Sequence, residues 1–146
     1  MNCRKIMTEL SEALIRVNAA YAVIAQKHSL SYNALMVFYI VDECENSTQK
    51  DICDKLFLSK STVNGILNDL KQKEYVELIQ GRNKKEKNIV FTEKGKKKNT
   101  EIQSDTEHFE SEILSWYGVD NTTYFLKQAK LLSKRMIDTV SDVIEV

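Results

Sequence analysis

The chain has no proline, four glycines (Gly65, Gly81, Gly95 and Gly118), three cysteines and two histidines in 146 residues. Each scarcity constrains the protein. Without proline no helix is forced to end for lack of an amide N–H, and few breakers over this length favour long helices. Cys3, Cys44 and Cys53 are too widely spaced to suggest a disulfide framework and suit reduced thiols. No run approaches the ~18 apolar residues of a membrane span. The start, MNCRKIMTEL, lacks the apolar core of a signal peptide. A cytoplasmic location without a membrane partner is the expectation. There is no phosphate loop, no HExxH and no glycine-rich turn after a strand, and neither histidine is placed to serve a serine nucleophile. No enzymatic activity and no cofactor are expected.

What is present is an ordinary globular composition, 42% hydrophobic and 29% charged, and one domain is the default at this length. Net charge is zero, but its distribution is uneven. Residues 1–54 hold 5 Lys/Arg against 7 Asp/Glu, residues 55–98 hold 12 against 5, and residues 99–146 hold 4 against 9. One basic segment between two acidic ones is the footprint of a local polyanion contact.

Hydrophobic spacing predicts a helix over 3–28 (Ile6, Leu10, Leu14, Val17, Tyr21, Ile24), with a second stripe of Met7, Ala13 and Ala20 that implies partners on two faces. A mostly buried helix follows from Tyr32 to Cys44. Thr48, with Asp51 three positions on, opens a short helix by a capping box, with Ile52 and Leu56 inward and Leu58 packing at the turn. Ser59 is placed to cap the next helix, which runs to about Lys73 on a core stripe of Val63, Ile66, Leu67 and Leu70. Its other faces are short and polar, and no carboxylate occurs from Ser59 to Asn68. Amides and hydroxyls near a helix start can reach base edges in a major groove, and the helix N-terminus favours phosphate. A solvated helix face is the alternative.

Alternation then predicts two strands, Tyr75–Gln80 with Val76 and Leu78 on one side and Asn88–Thr92 with Ile89 and Phe91 on one side. Between them GRNKKEK makes a basic tip of Arg82, Lys84, Lys85 and Lys87, able to lie over phosphates or enter a minor groove. Thr92 can cap a long helix whose first turns hold Lys94, Lys96, Lys97 and Lys98, an order the helix dipole disfavours and a nearby phosphate backbone would explain. Gly118 ends that helix and Asp120 starts a last one. The fold class is therefore mainly α with a small β-hairpin wing: a winged helix-turn-helix lobe over 32–98, and a helical dimerisation region over 1–31 and 99–146. A self-paired helical platform would bury the apolar residues of both ends, and would set two recognition helices about 34–36 Å apart on one DNA face. In the alternative, the terminal helices fold back on a single winged unit.

TQKDICDKLFLSKSTVNGILNDLKQKEYV, followed by the hairpin and FTEKG, resembles the MarR-type regulators, named for multiple antibiotic resistance, and the likeness extends over nearly the whole chain. The resemblance implies a homodimeric transcriptional regulator, more often a repressor, on double-stranded palindromic operator DNA. It places recognition at Ser59, Lys60, Ser61, Thr62, Asn64, Gly65 and Asn68. Many members release DNA on binding a small molecule between the DNA-binding lobe and the dimerisation helices; others respond to thiol oxidation or metal. Two departures stand out. The family's wing usually has an aspartate, any residue, then an arginine; here Asn83, Lys84 and Lys85 occupy those places, so the usual ion pair and the arginine fork are both lost. Gly65 stands where many members carry a larger side chain.

Other groups admit two readings. Cys3, beside Arg4 and Lys5, resembles the reactive cysteine that the family's peroxide sensors carry near the start of their first helix, and is the candidate redox site. Cys44 and Cys53 read as packing residues. His108, Glu107, Glu110 and Glu112 read as an acidic surface helix, since no tight ligand spacing supports zinc. Tyr21, Tyr32, Phe38, Tyr39, Phe109 and Trp116 read as core or as the lining of an effector pocket. The competing function is a winged-helix module that binds another regulator through its basic segment and has no DNA affinity of its own.

Overall fold

A computed structural model describes residues 2–144. The order is α1 (Cys3–Lys27), α2 (Tyr32–Glu43), α3 (Gln49–Leu56), α4 (Lys60–Gln72), β1 (Val76–Gln80), β2 (Lys87–Phe91), α5 (Glu93–Tyr117) and α6 (Val119–Val143). This is the mainly helical chain with one antiparallel hairpin that the patterning predicts. The described residues pack as two units, one ending at Asp105 and one beginning at Thr106, with the division inside α5.

The core of the first unit forms around α2, which buries Ala34, Leu35, Val37, Phe38, Ile40 and Val41. Such a helix is hydrophobic on more than one side because neighbours cover more than one side. Ile52 of α3, Val63, Leu67 and Leu70 of α4, Val76 and Ile89 of the hairpin, and Ile102 of α5 complete it. The Phe38 ring meets Phe91 at 5.1 Å between centroids and Tyr75 edge-on at 5.9 Å. Burying each large side chain contributes about 1.5–3 kcal/mol, so the inward stripes of α3 and α4 fix both helices against α2.

The shortage of glycine shows at the helix ends. Among the described residues Ser29, Phe57 and Glu74 take positive φ (58°, 52° and 60°). The ends of α1 and α4 close by the same paired bonds: Leu30 N–H to Ala25 and Ser29 N–H to Gln26, then Tyr75 N–H to Leu70 and Glu74 N–H to Lys71. Left-handed backbone costs an ordinary residue roughly 1–2 kcal/mol, which the satisfied carbonyls offset.

The hairpin runs in register from Val76 opposite Phe91 to Gln80 opposite Lys87. Its base is held twice more: the Ile89 amide donates to the Ser47 carbonyl at 2.8 Å, and Asn88 Nδ2 donates to Asn46 Oδ1 at 3.1 Å. Gly95 packs against its other side. A Cβ there would lie 1.8 Å from the Tyr75 carbonyl oxygen, so only glycine lets α5 start this close to β1.

Four details within one chain differ from the expected pattern. Leu78 is exposed, and only Val76 of β1 is buried, although Ile89 opposite Leu78 on β2 is part of the core. In α1 only Ala25 is buried, and Ile6, Leu14 and Val17 stay about half exposed within one chain. Three of the four lysines opening α5 have carboxylate partners among the described residues. Lys96 pairs with Glu93 at 2.8 Å, Lys98 with Glu101 at 3.3 Å and Lys94 with Glu74 at 3.3 Å. The last helix starts one residue earlier than expected, at Val119 after Gly118.

The second unit contains the end of α5 and all of α6. No α6 residue is buried, and Leu131, Leu132, Met136, Ile137 and Val140 are among its exposed apolar side chains. No helix among the described residues is long and apolar enough to cross a membrane.

Candidate nucleic-acid interface

The helix-turn-helix is α3, a turn, and α4. Thr48 caps α3 in both directions: its Oγ1 accepts from the Asp51 amide at 3.2 Å, while Asp51 Oδ2 accepts from the Thr48 amide at 2.8 Å and its hydroxyl at 2.7 Å. The Thr48 hydroxyl, then its amide, hold the Asp51 carboxyl below its ordinary value, with smaller help from Lys55 and Lys50. The turn passes through Phe57, left-handed and 78% exposed. Gln49 Nε2 then donates to the Lys60 carbonyl at 3.1 Å, joining the start of α3 to the start of α4.

Ser59 caps α4, accepting from the Thr62 amide at 3.2 Å. Its hydroxyl also lies 2.8 Å from that of Thr62 and 3.1 Å from that of Ser61. These three hydroxyls therefore engage one another at the helix start. The amides farther along differ. Asn64 and Asn68 are exposed, and among the described residues neither side chain makes a hydrogen bond. Gly65 lies between them on the exposed surface, with nothing within 4 Å of where a Cβ would be.

The wing tip is ordered by the residue that departs from the family pattern. Asn83 Oδ1 accepts from the backbone amides of Lys85 and Glu86, both at 3.0 Å. Gln80 Nε2 donates to the Asn83 carbonyl, and the Gly81 amide donates to Glu86 at 2.9 Å. An uncharged side-chain carbonyl thus makes the turn that needs only an acceptor. Arg82, Lys84, Lys85 and Lys87 are all exposed. Among the described residues none of the four has a carboxylate partner, and Lys87 Nζ donates to Gln80 Oε1 at 3.3 Å.

Between α4, the start of α3 and the wing lies an open cleft of ≈ 720 Å³. Lys50, Lys60, Lys71, Lys85 and Lys87 line it, with Glu86 its one carboxylate. The low-dielectric walls of such a cleft focus the field of its lysines. Lys50 and Lys71 are the residues that reasoning from the sequence missed. Lys50 follows a cap and Lys71 ends a helix, and nothing in their spacing shows that both face the wing. Lys60, Lys85, Lys87 and Asn64 of the expected set meet in this cleft; Asn68, Ser61, Arg82 and Lys84 lie outside its lining.

The other candidates separate. Cys3, exposed, is the first residue of α1. Cys44 and Cys53 are partly buried, with Lys55 Nζ 3.4 Å from the Cys44 sulfur. Phe38 is core with Tyr21 and Tyr39 packed against that core, Tyr32 donates to Asn18 at 3.1 Å, and Trp116, in the second unit, is 82% exposed. Among the described residues no group of three or more His, Cys, Asp and Glu could hold a metal. His28 is buried and lies 2.8 Å from Asp105, which Lys27 also meets at 2.7 Å.

Comparison with known proteins agrees with this geometry. The model of the MarR family matches residues 28–85. No curated protein sequence matches the chain. A MarR family regulator from Neisseria meningitidis superposes with a TM-score of 0.82 at 23% identity, covering 97% of this chain and 99% of that one. The transcription regulator MarR from Oenococcus oeni gives 0.72 at 20% identity, covering 91% and 98%. Staphylococcus aureus MarR, in complex with salicylate and kanamycin, gives 0.72 at 14% identity, covering 92% and 94%. With its helix-turn-helix and the start of its wing inside the matched segment, this chain has the winged helix-turn-helix fold of the MarR family transcription regulators.

Proposed function

We propose that the protein is a sequence-specific, non-enzymatic DNA-binding regulator that acts as a homodimer, most simply as a repressor. The observation that carries this reading is the surface of α4 and the wing. A helix face without carboxylates from Ser59 to Asn68 borders a cleft with five lysines, and the tip beside it bears cations with no carboxylate partner among the described residues. A merely solvated face would mix acidic and basic residues. Ser59, Lys60, Ser61, Thr62, Asn64 and Asn68 are the proposed groove contacts, and Arg82, Lys84, Lys85 and Lys87 the proposed phosphate contacts. Lys50 and Lys71 join the phosphate set.

The dimer is supported by apolar surface that one chain leaves open. Ile6, Leu14 and Val17 on α1, and Leu132, Met136 and Val140 on α6, are each more than 40% exposed. Large apolar side chains left exposed along a helix mark a partner surface on each of these helices, and a second copy is the partner that a palindromic operator requires. Light scattering should return twice the chain mass at micromolar concentration. Control of DNA affinity by a small molecule, or by oxidation of the exposed Cys3, belongs to the same proposal. The ligand-bound Staphylococcus aureus relative supports the first. A Cys3→Ser variant that keeps its DNA affinity under peroxide while the parent loses it would support the second.

The test of DNA binding is a band shift with the duplex upstream of the protein's own gene at two salt concentrations. Binding that weakens steeply with salt is expected. Salt-independent binding, or none, would leave the protein-interaction reading in its place.

A further inference from the structure

The reading surface of α4 is built for one kind of base. Its exposed positions from Ser59 to Asn68 include two amides, three hydroxyls, one lysine and one glycine, and no guanidinium or carboxylate. The hydroxyls of Ser59, Ser61 and Thr62 already engage one another. Lys60 and Lys71 are point charges that line the cleft toward the wing, as Asn64 also does. That leaves Asn64 and Asn68 as the side chains whose full bonding capacity is unspent among the described residues. A side-chain amide offers a donor and an acceptor side by side, the complement of the N6 and N7 edge of adenine. Guanine is read by a guanidinium or an ammonium and cytosine by a carboxylate, and of these groups this stretch offers only Lys60, at the first residue of α4.

Reach agrees with this assignment. The amide oxygen and nitrogen of an asparagine lie only three bonds from its Cα, so the helix backbone must come close to the base edges. Gly65, between the two amides with open space around it, leaves nothing to hold the helix away. Four residues advance a helix by about 6 Å, about two base-pair steps of 3.4 Å.

We infer that Asn64 and Asn68 each read an adenine, about two base pairs apart, so that every half-site of the operator carries A·T pairs at two fixed positions. This rests on the DNA-binding reading above. The test is selection of bound duplexes from a randomised library by the full-length protein and by Asn64→Ala and Asn68→Ala, both exposed helical positions where alanine is compatible with the fold. A good bidentate pair discriminates by about 1–3 kcal/mol, so each adenine should be preferred by about 5- to 150-fold. Each variant should lose the preference at one position and keep it at the other. G·C pairs at those positions overturn the assignment, and so does an A·T preference that survives unchanged in both variants, because groove shape would then be its source. Tight but sequence-indifferent, salt-steep binding overturns the adenine assignment alone. Absence of salt-dependent duplex binding overturns the underlying reading and this inference with it.

Discussion

The same substitution at two glycines should have opposite signs, and the difference tests how the wing is mounted. At Gly95 a new Cβ would lie 1.8 Å from the Tyr75 carbonyl oxygen and 2.8 Å from its carbon. Van der Waals contact needs roughly 3.2 Å or more, so backbone would have to move by more than 1 Å, and no side chain can yield instead. Tyr75 is tied on both sides: its amide donates to Leu70 at 2.9 Å, closing α4, and its carbonyl accepts from Thr92 at 3.1 Å, opening the approach to α5. Thr92 in turn caps α5 through the Gly95 amide at 3.0 Å and donates its hydroxyl to the Glu74 carbonyl. Moving this knot disturbs the end of α4, the base of β1 and the start of α5 together. Overpacking ordinarily costs about 1–3 kcal/mol; with backbone as the obstacle, about 3 kcal/mol or more is expected. For a chain of this length that lowers Tm by roughly 6–12 °C. At Gly65 nothing lies within 4 Å and the residue sits inside α4, so alanine should stabilise by about 1 kcal/mol through helix propensity alone. Urea unfolding of both variants at one protomer concentration would measure the pair. A Gly95→Ala protein that melts with the parent would refute the close packing of α5 on β1.

Other predictions follow from single features. Replacing Lys84 and Lys85 together by alanine removes two charges per chain, four in the proposed dimer, which should make the slope of log K against log salt shallower by about 3.6 if each meets a phosphate; an unchanged slope counts against the wing as a backbone contact. Asp51→Ala should cost about 1 kcal/mol at neutral pH by opening the α3 capping box. Because the folded Asp51 carboxyl is held below its ordinary 3.8, its contribution is complete above that value and is lost as pH falls through the lower folded one. The gap between parent and variant in urea should therefore hold steady above about pH 5 and close on the acid side; a gap that widens on acidification contradicts the assignment. Phe57→Gly relieves left-handed backbone at an exposed position and should leave stability unchanged or raise it by up to about 1 kcal/mol, read as a thermal shift.

The residues that made the fold legible are those whose neighbours in space are also neighbours in sequence. Thr48 with Asp51, Ser59 with Thr62, and the three-four stripe of Val63, Leu67 and Leu70 are local signals, and each occurs where the spacing places it. Long-range facts were harder to read. Leu78 alternates correctly for burial yet is exposed, since alternation cannot show that at this level of the hairpin only Ile89 on β2 is covered. Of the lysines of α5, Lys94 has its partner twenty residues upstream, at Glu74, where spacing gives no sign of it. Asn83 reads in sequence as a lost ion pair, while its side-chain carbonyl accepts two backbone amides at the tip. Lys50 and Lys71 carried no signal, because the cleft that joins them exists only after α3, α4 and the wing have packed.

The central claim is that α4 and its wing form a surface for duplex DNA. Its most direct measurement is affinity for the upstream duplex at 50 and 200 mM salt, set beside an unrelated duplex of equal length. The account predicts tighter binding to the upstream duplex, with both affinities falling steeply over that range, by about 10³- to 10⁵-fold for six to ten phosphate contacts. Equal and salt-insensitive retention of the two duplexes, or retention of neither, would contradict it.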